Sequence, residues 1–391
     1  MKEKNDKSIL IGVTGGIASI KTALLVSDLA KKGFSVYTIL TEAACKFVTP
    51  LTFSTISRNP AKTDMFPSQP FPAHLEPKEL ADYAAIIPAT ANFLGKLAHG
   101  IADDLLTTVL LSFKPEHVMI APAMNPEMWK NPAVQANSKI LAERGYYLIR
   151  PATGKVACGD EGEGRLPEID DLNLHIEKMM QIKDLCKERI VITLGSTMEY
   201  IDPVRVITNH SSGKMGLEIA KEAFRRGAKV TLVSGRCETR IPEVFDNHDI
   251  RTAIELQKKL FELMEYSTGL IMVAAVADLK PKQSSVKKLK RKDHSIQFIA
   301  NDDIIASIAR KYRKLKTVAF SLQEDLEDKE TACTKLKGKN VDMIIANEFS
   351  TMGSELSKIR IITGKNEFNF KQMSKADCAK RILDKYAGIK K

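Results

Sequence analysis

The chain has 391 residues, of which 44% are hydrophobic and 27% charged, and carries a net charge of +11. That length is too great for one ordinary core and sets two domains of a globular protein as the expectation. No apolar run reaches the roughly 18 residues of a membrane helix, six scattered cysteines form no CxxC pair and give no zinc site or disulfide framework, and sparse aromatics without a nucleic-acid motif turn the basic charge toward phosphorylated small molecules.

The opening MKEKNDKSILIGV runs into a Gly-rich turn rather than a cleavage site, so it reads as a first core strand and not a signal peptide. With the cysteine usage, this fits a reducing cytoplasm. Ser8 to Val13 is the strand, Thr14-Gly15-Gly16 the turn, and about Ala18 to Lys32 a helix that Gly33 stops. Phe34 to Leu40 is the next strand. Short apolar runs follow at Ala84–Pro88, His117–Ala121 and Tyr146–Ile149, and a polar helical stretch at Asp170–Lys187. Short buried strands separated by helices predict a parallel sheet covered on both faces.

The pattern then restarts. Arg189 to Thr193 reads as a strand, 214–226 as a helix ended by Gly227, and Lys229 to Val233 as a strand; LIMVAAVAD, TVAFSL and DMIIANE continue the alternation. The expected fold class is α/β, with two doubly wound parallel-sheet domains over residues 1–188 and 189–391.

In the first half, Gly15 and Gly16 let the backbone approach a ligand, and free N–H groups at a helix start suit a phosphate. Alone, such a turn is equally a tight strand–helix corner. Pro88-Ala-Thr-Ala-Asn92 and Pro122-Ala-Met-Asn125 each follow a strand, where open α/β sheets bind ligands. Thr90, Asn92 and Asn125 offer neutral hydrogen bonds there, although each also suits a helix cap. In Ala157-Cys158-Gly-Asp-Glu-Gly-Glu-Gly-Arg165, glycines and alternating acids predict neither helix nor strand but a mobile loop carrying an accessible thiol. His74, before Leu75, is unremarkable by itself.

Taken together and in order, these motifs resemble the flavin-binding cysteine decarboxylases that act on 4′-phosphopantothenoylcysteine, over residues 8–167. The resemblance implies a flavodoxin-like fold binding FMN, with Gly15, Gly16, Thr41, Thr90 and Asn92 at the flavin. It implies His74 as base for an oxidative half-reaction, Asn125 as substrate holder and Cys158 as the acid of the reductive half. It also implies trimeric contacts, because the flavin site is shared between subunits. The stretch Phe66 to Pro72, before His74, is unusually proline-rich.

In the second half, Asp202-Pro-Val-Arg205 precedes Thr208-Asn-His-Ser-Ser-Gly-Lys-Met-Gly216. The latter is neither a Walker A loop nor GxGxxG. Ser211, Ser212 and Gly213 still offer a hydroxyl and amide nest for phosphates at a helix start, and also suit a plain cap. Asp278 closes what reads as an apolar strand, and 287–292 form a basic run that is either solvated surface or a flap for a triphosphate. DPVR, TNHSSGKMG, AAVAD, the basic run and IIANE resemble the CTP-using bacterial phosphopantothenate–cysteine ligase, over about residues 189–385.

This second resemblance implies an acyl-cytidylate held by Asn209 and formed with Lys288. Ser211, Ser212, Gly213, Ala274, Asp278, Asp302, Asp303, Ile304, Ile305, Phe320, Lys335 and Lys339 would line the CTP site. Arg205 would meet an anionic part of the substrate, Mg²⁺ would accompany the phosphates, and subunits would pair as dimers. The whole would be a bifunctional enzyme of coenzyme A biosynthesis, in an assembly compatible with a dodecamer and with no nucleic-acid or membrane partner. LGST, ANDDI and SLQED depart from the family's AGGT-, KNPDI- and AAET-like segments. The rivals are a decarboxylase fused to a nicotinamide-dependent reductase, against which the missing GxGxxG weighs, and a flavin-binding regulatory module, against which His74 and Cys158 weigh.

Overall fold

A computed structural model describes residues 7–66, 76–155, 159–291, 295–323, 334, 336–349, 353–364 and 366–391. The chain divides into two compact units between Gln181 and Ile182.

The first unit is built on five parallel strands, β1 Ser8–Val13, β2 Ser35–Leu40, β3 Tyr83–Ala89, β4 Val118–Pro122 and β5 Tyr147–Leu148, in the order β2-β1-β3-β4-β5. Successive residues of β1 face opposite ways, and both faces are apolar. Ile9, Ile11 and Val13 pack with Leu25 and Leu29 of α1 (Ser19–Lys31), Phe53 of α2 (Pro50–Ser57) and Leu172 of α8 (Ile169–Met180). Leu10 packs on the other face, with Ile86, Phe93 of α4 (Ala91–His99), Leu106 of α5 (Leu105–Leu110) and Leu141 of α7 (Pro132–Glu143). A short helix, α3 (Glu76–Leu80), precedes β3, and α6 (Pro126–Lys130) follows β4. Burial on both faces is what a parallel sheet demands.

The glycine-rich segment after Lys155 corrects the expected loop. Residues Glu161–Arg165 form a strand, β7, paired antiparallel with β6 (Ala152–Lys155). Main-chain packing explains it. The Met124 N–H donates to the Gly164 carbonyl at 2.9 Å, and a Cβ on Gly164 would collide with the Met124 carbonyl. Strand formation here depends on having no side chain, which inverts the usual composition signal. The polar helix also ends earlier than expected, at Met180 rather than Lys187.

The main sheet of the second unit has, among the described residues, eight strands in the order β12-β11-β8-β13-β16-β17-β19-β20. They are β8 Arg189–Leu194, β11 Lys229–Ser234, β12 Asp246–Asp249, β13 Gly269–Met272, β16 Lys316–Gln323, β17 Met343–Glu348, β19 Ile359–Thr363 and β20 Glu367–Asn369. β12 through β17 run parallel, but β19 and β20 are antiparallel, so the sheet is parallel with an antiparallel edge rather than wholly parallel. Two-stranded ribbons pair β9 (Met198–Tyr200) with β10 (Val206–Thr208), β14 (Leu279–Pro281) with β15 (Phe298–Ala300), and β18 (Leu356–Ser357) with β21 (Met373–Ser374). Helices α10 (Ala253–Met264) and α11 (Ile304–Lys311) supply Leu256, Leu260, Ile304 and Ile308 to one core. Helices α9 (Lys214–Arg225) and α12 (Lys375–Ala387) pack against each other, and α9 also lies on β8.

Candidate functional site

Each sheet reverses its strand order beside its first strand, between β1 and β3 in one unit and between β8 and β13 in the other. Such switch points leave a crevice beyond the strand ends.

In the first unit a single hydroxyl fixes the crevice. Thr14, buried, donates to the Pro88 carbonyl at 2.7 Å and accepts from the Thr90 N–H at 3.1 Å. The Ala123 N–H donates to the Ala89 carbonyl at 3.1 Å, and the Thr41 N–H to the Val13 carbonyl at 3.0 Å. The ends of four strands are thereby tied in one row. Gly15 passes so close to Ala43 that a Cβ would collide with it.

Helix α1 begins here with Ala18 as its cap and no side-chain cap bond; the N–H groups of Ser19, Ile20 and Lys21 donate instead to the carbonyls of Gly16, Ile17 and Ala18 at 3.0, 3.3 and 3.0 Å. The Ser19 hydroxyl is fully buried and has no hydrogen-bond partner among the described residues. Thr90 caps α4, accepting from the Phe93 N–H at 3.4 Å, and Asn92 is exposed in the first turn of that helix. Asn125 caps α6, accepting from the Glu127 N–H at 2.8 Å while its amide donates to the Asp160 carboxylate. Gly15, Gly16, Thr41, Thr90, Asn92 and Asn125 therefore all stand at the C-terminal edge of one sheet. His74 and Cys158 lie outside the described residues.

In the second unit the strand expected to reach Asp278 ends at Met272. The reason is competition for its backbone. The Thr193 hydroxyl accepts from the N–H groups of Val273 and Ala274 at 3.1 and 3.0 Å, and the Thr197 hydroxyl accepts from Ala277 at 3.0 Å. Asn209 donates its amide to the Val276 carbonyl at 3.0 Å, and Asn301 does so to Ala277 at 2.8 Å. Residues 273–278 thus form a pinned loop that divides two cavities.

The larger cavity, 910 Å³, is lined by Asn209, Ala274, Asp278, Asp302, Asp303, Ile304, Ile305, Phe320 and Lys339 among others. The smaller, 510 Å³, is lined by Ser211, Ser212 and Gly213 and shares Ala274 and Phe320 with the first. Gly213 takes a left-handed conformation (φ 77°) as the cap of α9, again without a side-chain cap bond. Asp303 caps α11, accepting from the Ala306 N–H at 3.1 Å, and pairs with Lys339 at 2.6 Å, so those two charges offset each other.

Arg205 and Lys288 are not among the residues lining either cavity. Arg205 ion-pairs with Asp202 and donates to the Leu289 carbonyl at 3.3 Å. Asp202 also accepts from the Leu289 N–H at 3.1 Å. Burial pushes the Asp202 carboxyl up, but the N–H groups of Val204, Leu289 and Arg205 and the Arg205 guanidinium together hold it down at about 2. These bonds tie the basic run to the DPVR turn, with Lys288 exposed beside the tether. Lys335 lies outside the described residues.

Sequence reasoning passed over His210, which lines both cavities, and Lys214, Asn347 and Lys375, which line the smaller or its rim. The first three stand inside quoted motifs without a role; Lys375 had no signal beyond the Ser374 cap before it.

The chain matches the flavoprotein family over residues 1–181 and the DNA/pantothenate metabolism flavoprotein C-terminal domain over residues 185–389. It is 39% identical over 361 residues to the coenzyme A biosynthesis bifunctional protein CoaBC of Vibrio cholerae, covering 90% of each chain. It is 37% identical over 401 residues to that of Bacillus subtilis, covering 99% of this chain and 98% of the relative. Among solved structures, the C-terminal domain of a CoaBC protein aligns with a TM-score of 0.47 at 30% identity, covering 53% of this chain and 97% of that one. The FMN-dependent cysteine decarboxylase SpaF aligns with a TM-score of 0.38 at 30% identity, covering 44% and 97%.

Proposed function

The chain belongs to the coenzyme A biosynthesis bifunctional proteins, and we propose that it joins 4′-phosphopantothenate to cysteine at the expense of CTP in its second unit and decarboxylates the product with FMN in its first. One observation supports the reading: Gly15, Gly16, Thr41, Thr90, Asn92 and Asn125 in the first unit, and Asn209, Ser211, Ser212, Gly213, Ala274 and Asp278 in the second, stand about the switch point of their sheet.

The first crevice suits a flavin phosphate. It offers a helix start without a side-chain cap, close backbone approach at Gly15 and Gly16, and a buried Ser19 hydroxyl that has no partner among the described residues. FMN bound there supplies a hydride acceptor and donor, so that a carboxylate leaves beside an electron sink. Asn125, anchored on Asp160 and Glu127, orients the substrate. His74 takes the proton that accompanies oxidation of the cysteinyl thiol. Cys158 returns a proton to the ene-thiolate, a task its thiol acidity suits.

In the second unit the substrate carboxylate attacks the α-phosphate of CTP, pyrophosphate leaves, and the cysteine amine displaces cytidylate. Asn209 holds the acyl-cytidylate beside the pinned loop. Lys288 offsets charge during its formation, and Arg205 stays with Asp202 as part of the tether. Among the described residues no cluster of three His, Cys, Asp or Glu could hold a metal alone. Mg²⁺ would arrive with the triphosphate, and Asp278 and Asp302, which line the larger cavity, are acids that could hold it there.

No helix among the described residues is long and apolar enough to cross a membrane, and the reading puts the chain in the cytoplasm. Trimeric contacts of the first unit and dimeric contacts of the second belong to the same proposal. Purified protein is expected to be yellow and, on mixing with CTP, 4′-phosphopantothenate and Mg²⁺, to release pyrophosphate before cysteine is added. A colourless protein that takes up no added FMN would overturn the first half, and no pyrophosphate release the second.

A further inference from the structure

The β6–β7 ribbon of the first unit brings a carboxylate onto the residue that the reading above gives to the substrate. The Asn125 side-chain oxygen accepts from the Glu127 N–H at 2.8 Å. An oxygen bound to a backbone donor fixes which end of the amide is its NH₂ group. That NH₂ group donates to the Asp160 carboxylate. The amide is therefore oriented to receive an anion, and the chain itself supplies one.

Main-chain packing, not the Asp160 side chain, brings the two together. The Met124 N–H donates to the Gly164 carbonyl at 2.9 Å. A Cβ on Gly164 would stand 2.4 Å from the Met124 carbonyl oxygen, and one on Gly162 would stand 2.9 Å from Pro126. β7 thus lies directly on the backbone of residues 124–126, and Asp160 immediately precedes β7. Asp160 is exposed and Asn125 half-buried, so an anion from solvent can reach the pair.

The substrate of the first unit carries a carboxylate, the group that leaves as carbon dioxide, and the product does not. Two carboxylates crowded onto one amide disfavour each other's charged form. We propose that Asp160 is an internal stand-in for the substrate carboxylate: the substrate displaces it from Asn125, and loss of carbon dioxide lets it return. The proposal rests on the decarboxylase reading and adds to it a residue that separates substrate from product. Any ligand that brings no carboxylate leaves the Asn125–Asp160 bond in place.

The test uses two probes that the flavin cannot oxidise at sulfur. One is 4′-phosphopantothenoylserine, with a hydroxyl in place of the substrate thiol. The other is its decarboxylated counterpart, the ethanolamide. Both keep the phosphate, so only the carboxylate distinguishes them. Full-length protein with FMN, as wild type, Asp160→Ala and Asp160→Asn, is titrated with each by calorimetry, and thermal melting checks the fold. Removing a charged competitor predicts about 10-fold tighter binding of the serine probe by Asp160→Ala and a smaller gain for Asp160→Asn. Binding of the ethanolamide should not change. Unchanged or weaker binding of the serine probe, or an equal gain for both probes, would overturn the proposal. Crystal structures of the wild type with each probe give a readout that needs no variant. The serine probe's carboxylate should sit on the Asn125 amide with Asp160 moved away, and the ethanolamide should leave Asp160 in place. Asp160 still bonded to Asn125 beside the serine probe would contradict it. A wild type that releases carbon dioxide from 4′-phosphopantothenoylcysteine but fails these tests loses the stand-in alone. One that releases none and binds neither probe loses the decarboxylase reading with it.

Discussion

The two units solve the same problem with different means. In the first, four strand ends are drawn together by short turns and one buried hydroxyl, that of Thr14. In the second, the crevice is bounded by a long loop, and four polar side chains from separate segments, Thr193, Thr197, Asn209 and Asn301, are needed to hold it. The contrast shows where site geometry comes from. Where turns are short, the sheet itself positions the ligand groups. Where loops are long, side-chain hydrogen bonds do, and cavities of 510 and 910 Å³ open between them.

If the units are also chemically separate, changes in one should leave the other working. The largest expected effect is at the first. Cys158→Ser should slow completion of the decarboxylase cycle about 10²–10⁴-fold, the typical cost of losing a positioned general acid. The flavin should stay reduced and a product still lacking the returned hydride and proton should accumulate. His74→Asn should instead leave the flavin oxidised and release no carbon dioxide. Pyrophosphate release from CTP should be unchanged in both, and a parallel loss would break the comparison.

Next, Lys288→Gln should slow pyrophosphate release about 10²–10³-fold, or about 3–4 kcal/mol, by analogy with loss of one transition-state donor. Decarboxylation of added 4′-phosphopantothenoylcysteine should not change. Stopped-flow detection of pyrophosphate reads the first effect, and carbon dioxide release the second.

A smaller pair tests the scaffolds. Thr14→Val leaves the Pro88 carbonyl and the Thr90 N–H without their partner, and Thr197→Val does the same to the Ala277 N–H. Each should cost about 1–3 kcal/mol of stability. Only Thr14→Val should also weaken FMN binding, which a flavin fluorescence titration would detect.

The mildest expectation concerns acid. Burial, with a smaller push from Lys178, lowers the His175 imidazole to about 3 from its usual 6.5. Between those values the unfolded chain binds a proton that the folded chain refuses. The first unit therefore loses stability as pH falls through that window. Asp202, held at about 2 against a usual 3.8, contributes stability to the second unit that is present above the usual value and lost only as pH falls toward 2. His175→Gln should flatten the upper window in acid titrations of thermal stability and Asp202→Asn the lower one.

Much of this arrangement was legible in the sequence. The first sheet followed its apolar runs to within a residue or two, from Ser8–Val13 to Val118–Pro122, because each strand is buried on both faces. The β6–β7 ribbon was not legible, since Glu161–Arg165 is specified by backbone packing on Met124 rather than by side chains. Apolar character alone could not show that Thr193 and Thr197 divert residues 273–277 out of the sheet. Arg205 looked free to meet an anion because its pairing with Asp202 depends on the fold of the DPVR turn. Lys375 escaped notice because it lies far along the chain from the Ser211–Gly213 turn with which it lines one cavity.

The central claim is that one chain carries both reactions in sequence, and one mixture tests it most directly. Full-length protein with FMN is incubated with 4′-phosphopantothenate, cysteine, CTP and Mg²⁺, and products are identified by mass. The account predicts 4′-phosphopantetheine, cytidylate, pyrophosphate and carbon dioxide in equal amounts. Accumulation of 4′-phosphopantothenoylcysteine without carbon dioxide, or unchanged 4′-phosphopantothenate, would contradict it.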